Sequence, residues 1–382
     1  MNGIKPDYIG LVIIRGKNIL KIFITGIFCL AIWIFIGYTT FVNLLAGDDT
    51  SYNTHNTIEK ENFGADINPT GNPIGGGKGY KKFVTEIHYK VKTYKELIRA
   101  IKKSKPFRTI YIDDNAVIDM TGKERISIPV GVTLASGRGR NNSQGALLFS
   151  DKLDTCPLLS TGGPKVRITG LRLRGPDPER RTEQMQQLYK EGKYYSIPNS
   201  DGIMSLYSEL EVDNCELWGW SHASISLKKG ASAYIHHNHI HHNQRQGLGY
   251  GICINEADAV IEANLFDWCR HAIAGTGMPG TSYEACYNIV LENANSYSFD
   301  MHGGADRKDG TDIAGDWIHI HHNTFRATHK SAIIINGRPR QRAEIHHNWF
   351  LHPDKEMAIK QTNGEGNMNI YKNVYTSDKI LK

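Results

Sequence analysis

Within six residues, Tyr297-Ser-Phe-Asp300-Met-His302 collects a phenol, a carboxylate and an imidazole. Removing a proton next to a carboxylate needs a base with a pKa near neutrality, positive charge against the carboxylate, and an acid for the departing oxygen or the opposite face. His302 can be the base and Tyr297 or Tyr250 the acid, while Arg270, Lys360 or a bound cation neutralises charge. A uronate fits those requirements, so the chemistry points to an acidic polysaccharide.

A repeat must bring these groups together. Ile-His-His-Asn recurs at 235–238, 240–243, 320–323 and 345–348. Taking Asn214, Asn238, Asn264, Asn288, Asn323, Asn348 and Asn373 as equivalent, the intervals are 24, 26, 24, 35, 25 and 25 residues. A period near 25 with one insertion is the signature of a solenoid. Each unit holds short β-branched strands between Gly or Asn turns, too short to bury a face alone, so successive units must stack into a parallel coil. The turn Asn is expected to take the left-handed conformation and to hydrogen-bond the next rung. Leucine-rich repeats share the period, but their Leu-x-x-Leu-x-Leu pattern is absent. The paired histidines would coat the outside as ladders, an arrangement that also permits a stacked-histidine metal site.

One strand of each unit can be registered against its neighbours, at 201–205, 222–226, 250–254, 271–275, 299–303, 331–335 and 357–361. The third position is nearly always Ile or Met and should point inward, which sends the second and fourth outward. Small residues dominate those outward columns and make a shallow trough, interrupted by Asp300 in one and His302 in the other, with Lys360 at the end. Two ionisable groups in a small apolar trough are hard to explain as packing. Asp201, His222, Tyr250 and His271, with Arg270 beside it, line one edge. The expected site is therefore His302, Asp300, Tyr297, His271 and Arg270 for catalysis, with His222, Tyr250, Asp201 and Lys360 holding substrate.

Upstream, Thr93-Tyr-Lys-Glu96 is a capping box ahead of Leu97, Ile98 and Ile101 at helical spacing, predicting an amphipathic helix over 93–104 that plugs the open end of the coil. Strands at 109–112, 117–119, 126–128 and 132–134 begin the rungs. This layout resembles the pectate lyase superfamily across residues 83–375. The resemblance implies an all-β fold, a right-handed single-stranded parallel β-helix with an N-terminal capping helix. Residues 297–302 resemble the Tyr-Gly-Phe-Asp-Pro-His motif of mannuronan C5-epimerases, with Met301 in place of Pro. That likeness implies Tyr297 and His302 as an acid/base pair and Asp300 as a neighbouring essential carboxylate. In those epimerases the supporting Asp and Arg come from following rungs, whereas here Arg270-His271 precedes the motif and 328–332 offers no Asp. Elimination, as in a lyase, and epimerisation begin with the same abstraction, and both stay open. Two other classes compete, a glycoside hydrolase and a non-catalytic carbohydrate-binding coil. For the hydrolase, Asp201 and Asp300 lie four rungs apart in this register, about 19 Å, which is too far for either hydrolytic geometry.

The remaining sequence supplies context. At 382 residues, 40% hydrophobic and 22% charged, the chain is not a disordered one. Residues 22–42 carry no charge and are long enough to cross a bilayer; Lys5, Arg15, Lys17 and Lys21 precede them and Asp48 and Asp49 follow. The positive-inside rule then gives a cytoplasmic tail (1–21), a signal-anchor helix (22–45) and an extracellular remainder, with a cleaved signal peptide as the competing reading. Of the net +6, residues 1–46 hold +3 (four Lys/Arg, one Asp), leaving 41 − 38 = +3 outside, too little to suggest nucleic acid. Residues 46–82 read as a flexible spacer, 83–375 as the coil and 376–382 as a tail. Five exported cysteines without C-x-x-C spacing read as buried hydrophobes with at most one bridge. A monomer is expected. Two insertions, 175–200 and 303–316, would wall a binding site. In the second, Asp306, Asp309 and Asp312 offer hard oxygen ligands for Ca2+, though the chemistry itself requires no cofactor and an acidic solvated loop is the simpler reading.

Overall fold

A computed structural model describes residues 61–376. Its strands, from Tyr89–Val91 to Val374–Tyr375, pair in parallel into three sheets of 11, 9 and 10 strands. Each rung contributes one strand to a sheet that we call the cleft sheet (for example Tyr250–Ile254), one to the histidine sheet (Asp258–Glu262) and one to the third sheet (Leu265–Asp267). This is the parallel β-helix expected from the repeat. The predicted signal-anchor, residues 22–45, lies outside the described residues, among which no helix is long and apolar enough to cross a membrane.

Alternation along each strand turns one side chain in two toward the axis, and identical rungs then stack like on like. In the cleft sheet Ile203, Ile225, Ile252, Ile273, Phe299, Ile333 and Ile359 form one continuous inward column. Phe325 of the third sheet meets Phe299 edge-on and stacks on Phe350, each pair with ring centroids 4.9 Å apart. Each of these side chains is buried, worth about 1.5–3 kcal/mol apiece in removal from water.

At the corner between the histidine and third sheets the asparagines form a ladder. Asn264 Nδ2 donates to the Ile235 carbonyl (2.9 Å) and to Asn288 Oδ1 (3.0 Å), and the Asn264 backbone N–H donates to the same oxygen at 2.9 Å. The pattern repeats through Asn323 and Asn348 to Asn373. Bonding to the next rung is as expected; the left-handed residue is not. From Asn238 onward it is the residue before each Asn, at φ near +50° in His237, Ala263, Tyr287, His322, His347 and Lys372. The Asn amide must face inward to reach two rungs, so the kink falls one position earlier.

The capping helix forms at Tyr94–Lys103, with Thr93 and Glu96 closing the capping box and Leu97 and Ala100 buried. Residues 61–82, which composition reads as part of a flexible spacer, instead lie against the coil as a strap. Gly64 N–H donates to the His347 carbonyl, Gly75 N–H to the Ala263 carbonyl (both 2.9 Å), and Gly77 N–H to Asn214 Oδ1 (2.8 Å). Tyr80 Oη donates to Asp213 at 2.7 Å. The strap thus runs from the last rungs back to the first, taking up corner carbonyls that the left-handed residues turn outward. Its glycines serve close approach: a Cβ on Gly76, which has φ +66°, would stand 2.3 Å from the His237 carbonyl oxygen. All five described cysteines are free thiols.

Candidate active site

A cleft of about 760 Å³ lies over the outer face of the cleft sheet. One wall is the 175–200 insertion, whose helix Thr182–Lys190 and following turn supply Tyr189, Lys190, Tyr194 and Tyr195. The opposite wall is the chain leaving the strand Phe299–Met301, which gives His302 and then, from the short helix Gly304–Arg307, Asp306 and Arg307. Tyr250 and Arg270 stand between the walls.

Each wall is anchored by charge. Asp177, fully buried, accepts from Arg181 Nε at 2.6 Å and from Arg245 at 2.8 and 2.7 Å, and Arg245 also donates to the Pro198 carbonyl at 2.6 Å. A buried carboxylate between two guanidinium groups locks the insertion onto the coil. The three tyrosines meet edge-to-face, with centroids 5.7 Å (Tyr189–Tyr194) and 5.0 Å (Tyr194–Tyr195) apart, and Tyr189 and Tyr195 keep most of their surface in solvent. On the opposite wall Arg307 tacks the loop down, donating to the Thr276 and Ile313 carbonyls (both 3.0 Å) and to Asp309 (2.7 Å). No side chain fits at the base of this loop: a Cβ on Gly303 would lie 1.5 Å from the Asn336 carbonyl oxygen.

Two imidazole–carboxyl pairs occupy the floor. His302 Nδ1 lies 3.1 Å from Asp306 Oδ2. Burial alone would lower the His302 pKa, but the bond to Asp306 and the charges of Asp300 and Asp306 outweigh it and leave it above the ordinary value. Asp306 is held below the usual carboxylate range by His302. With Nδ1–H donated to Asp306, the neutral His302 ring carries its lone pair on Nε2. The second pair is deeper. Fully buried His271 donates Nδ1–H to the Tyr297 carbonyl at 2.6 Å, which fixes the tautomer and leaves a lone pair on Nε2, 3.3 Å from Asp300 Oδ2 but not aligned into a full hydrogen bond. Burial keeps His271 neutral, with Arg270 adding to the effect. Burial likewise raises the Asp300 pKa, against the pull of His302 and Arg270, and Asn336 donates to its other oxygen at 3.0 Å. Burial thus works against charge on both members of this deeper pair, the His271 imidazole and the Asp300 carboxyl.

Several positions differ from the sequence reading. Asp300, not His302, shares the outward column with Met204, Ser226, Cys253, Ala274, Ile334 and Lys360. The expected alignment was two residues out at Phe299; a slip of two keeps every side chain on its face, so alternation cannot detect it. His302 therefore lies one residue past its strand, tied by its N–H to the Gly275 carbonyl (2.9 Å). In the 222–226 unit the slip is one residue, and Ile225 points inward rather than outward. Tyr297 does not line the cleft; its ring lies parallel to that of His271, centroids 6.4 Å apart, and its carbonyl orients that imidazole. Tyr250, stacked on His271 at 5.6 Å, is the phenol that reaches the cleft from the floor. Asp201 and His222 pair with each other at 2.6 Å away from the cleft lining, and Lys360 is exposed, two rungs beyond Asp300. Asp306, Asp309 and Asp312 do not converge on a common point for Ca2+: Asp306 turns to His302, Asp309 to Arg307 and Asp312 to Arg338 at 3.2 Å. Unforeseen participants are Lys190, Tyr194, Tyr195, Arg307 and Asn336. Their signal was the insertion lengths alone.

Fold and cleft together define a right-handed parallel β-helix protein with a walled, cation-bearing groove. The family description "right handed beta helix region" matches residues 193–375. Among solved structures, an alginate lyase from Paenibacillus sp. str. FPU-7 superposes with TM-score 0.53 and 17% identity, over 75% of this chain and 94% of that one. The Dettilon tailspike protein (TM-score 0.38, 12% identity, 74% and 64% covered) and a Yersinia enterocolitica family 28 exopolygalacturonase (0.38, 12%, 76% and 62%) are more distant. No curated protein matches the sequence. At these identities the likeness is one of fold.

Proposed function

We propose that the cleft binds an acidic polysaccharide and removes the proton next to a uronate carboxylate, as a lyase or a C5-epimerase. The observation that carries this reading is the lining: Lys190, Arg270, Arg307 and His302 face a single carboxylate, Asp306, among four tyrosines. A hydrolase would work through two carboxyl groups that both reach the substrate; the second one here, Asp300, is only 4% exposed and lies beneath the lining rather than on it. Arg270 and Lys190 neutralise the substrate carboxylate, and the neutral His302 accepts the C5 proton at Nε2. In elimination the C5–H electrons form the C4=C5 double bond as the C4–O bond breaks, and a tyrosine, Tyr250 or Tyr194, protonates the leaving oxygen. In epimerisation the tyrosine instead returns a proton to C5 from the opposite face. The exposed tyrosine wall provides flat apolar faces for sugar rings. The alginate lyase named above, built on the same coil, lends its chemistry to the reading. Residues 1–21, 22–45 and the rest fit a cytoplasmic tail, a membrane anchor and an extracellular enzyme, acting as a monomer without a required cofactor.

Incubation with alginate, pectate and glycosaminoglycans in D2O tests this. Unsaturated chain ends identify a lyase, and deuterium at C5 without cleavage an epimerase. New reducing ends without unsaturation, or a His302→Ala chain as active as the parent, would overturn the assignment.

A further inference from the structure

The outer face of the histidine sheet carries chemistry that the cleft does not use. On its strand Ser282–Cys286, Glu284 and Cys286 lie on the outward side, Glu284 half-buried and Cys286 just beneath the surface at 5% exposure, while Tyr283 and Ala285 face the core. The next strand, Trp317–His321, pairs in register and sets His319 beside Glu284 and His321 beside Cys286. His321 Nε2 lies 2.9 Å from Glu284 Oε1, and the carboxylate oxygen, the Cys286 sulfur and the imidazole nitrogen all fall within 4.8 Å of one another.

We propose that Glu284, Cys286 and His321 form a binding site for Zn2+, with the fourth position open to water. Zinc bonds of about 2.0–2.3 Å place tetrahedral ligands about 3.3–3.8 Å apart, within a small side-chain adjustment of the separations found. Thiolate, imidazole and carboxylate form the mixed donor set that a borderline metal prefers over Ca2+ or Mg2+. On binding, the Cys286 thiol gives up its proton and the His321 ring carries its own on Nδ1, which already faces His322 Nδ1 at 2.8 Å. Two other clusters of His and carboxylate lie on the coil, but neither has a thiol and each already has a guanidinium beside it. In Glu211/Asp213/His236, Arg167 donates to Asp213 at 2.8 Å, and the charge of Arg138 acts on Glu216 in Glu216/His239/His241. Glu284 has only histidines as ion-pair partners among the described residues. The position also has a structural sense. The two strands flank the 303–316 insertion, so a bound ion would join the rungs on either side of the loop that carries His302 and Asp306.

The full-length chain, stripped with chelator and titrated with Co2+ as a spectroscopic stand-in, should bind with a thiolate-to-cobalt charge-transfer band that Zn2+ abolishes by displacement. Cys286→Ser should remove the band, His321→Gln should weaken binding by at least about 10-fold, and His241→Gln, in the cluster on the third sheet, should leave both unchanged. Melting curves of each variant establish that it is folded, and Cys286→Ala replaces Cys286→Ser if the latter is not. Stoichiometric Co2+ binding without the band, a band that survives either Cys286 substitution, or no binding at all would overturn the site. None of these readouts depends on polysaccharide activity, so the two proposals stand or fall separately.

Discussion

Substituting Asp306 by Asn separates the charge of the floor from its shape. His302 Nδ1 stands 3.1 Å from Asp306 Oδ2, with 28% and 41% of the two side chains exposed. A bare Coulomb figure at that distance, about 5 kcal/mol at an effective dielectric of 20, overstates the interaction because solvent screens both groups. A charge-assisted hydrogen bond discounted for that exposure is worth about 1–1.5 kcal/mol, or roughly a factor of 10 in the ratio of cationic to neutral His302 at fixed pH. The direction follows from the base role. His302 must be neutral to accept a proton, and its pKa is raised, so activity climbs as pH rises through a value above the ordinary histidine one. In Asp306→Asn the cation loses its partner, the ring becomes neutral at lower pH, and the ascending limb of kcat/KM moves toward acid. Below the limb the variant is up to about 10-fold faster relative to its own plateau. The same bond contributes stability that is full below the unfolded histidine pKa and is lost as pH rises through the folded one. Initial rates of unsaturated-product formation or C5 exchange across pH, with melting curves alongside, measure both. An unmoved limb would refute the claim that His302 ionisation governs the rate. Loss of turnover at every pH with normal polymer binding would show that Asp306 itself takes part in the chemistry.

Asn288→Ala removes four hydrogen bonds of the corner ladder and strands buried partners on Asn264, Ile261 and Asn323; unfolding should be easier by about 3–6 kcal/mol, well above the effect of Asn373→Ala at the half-buried end, as chemical denaturation would show. Arg245→Leu leaves Asp177 buried with one partner; a loss of about 3–5 kcal/mol in stability and weaker polymer binding are expected, while unchanged binding in a calorimetric titration would separate the insertion from the cleft. Arg270→Gln should raise KM for the acidic polymer about 10-fold or more, as expected for a lost charge-assisted bond, flatten its salt dependence and, because the guanidinium charge holds the His302 pKa down, move the pH limb toward alkali; a fall in kcat at unchanged KM would place the guanidinium on the reacting atoms instead.

The coil was legible because its period is written in asparagines whose amides must reach two rungs, and in Ile and Val at alternating positions. The capping helix was legible because Thr93 and Glu96 satisfy each other's backbone groups locally. Register was legible only in part. Slipping Phe299 by two residues preserves the buried face, and the choice is made by how Phe299 packs on Phe325, a contact between sheets that no single strand encodes. The cleft was half visible. Asp300, His302, Tyr250 and Arg270 stood out as ionisable groups in a trough of small residues, but Tyr194 and Lys190 arrive from an insertion whose fold depends on one buried ion cluster around Asp177. The glycine run at 75–77 misled, since composition cannot distinguish a glycine that is free from one pressed against a neighbouring backbone.

The strap sets an order of events. Ala65 N–H donates to Thr324 Oγ1, a partner 259 residues further along the chain. Rungs can stack on their predecessors as they are made, because each needs only the rung before it. The strap is among the first parts of the domain to be synthesised, yet its starting end has no place to bind until rungs near the other terminus exist. A chain cut short before those rungs would carry a coil with its corner carbonyls bare along one edge and a loose glycine-rich segment beside it. Docking of residues 64 and 65 therefore reports that the coil has been built as far as His347, so proteolytic sensitivity of the strap should distinguish molecules that have reached that rung from those that have not.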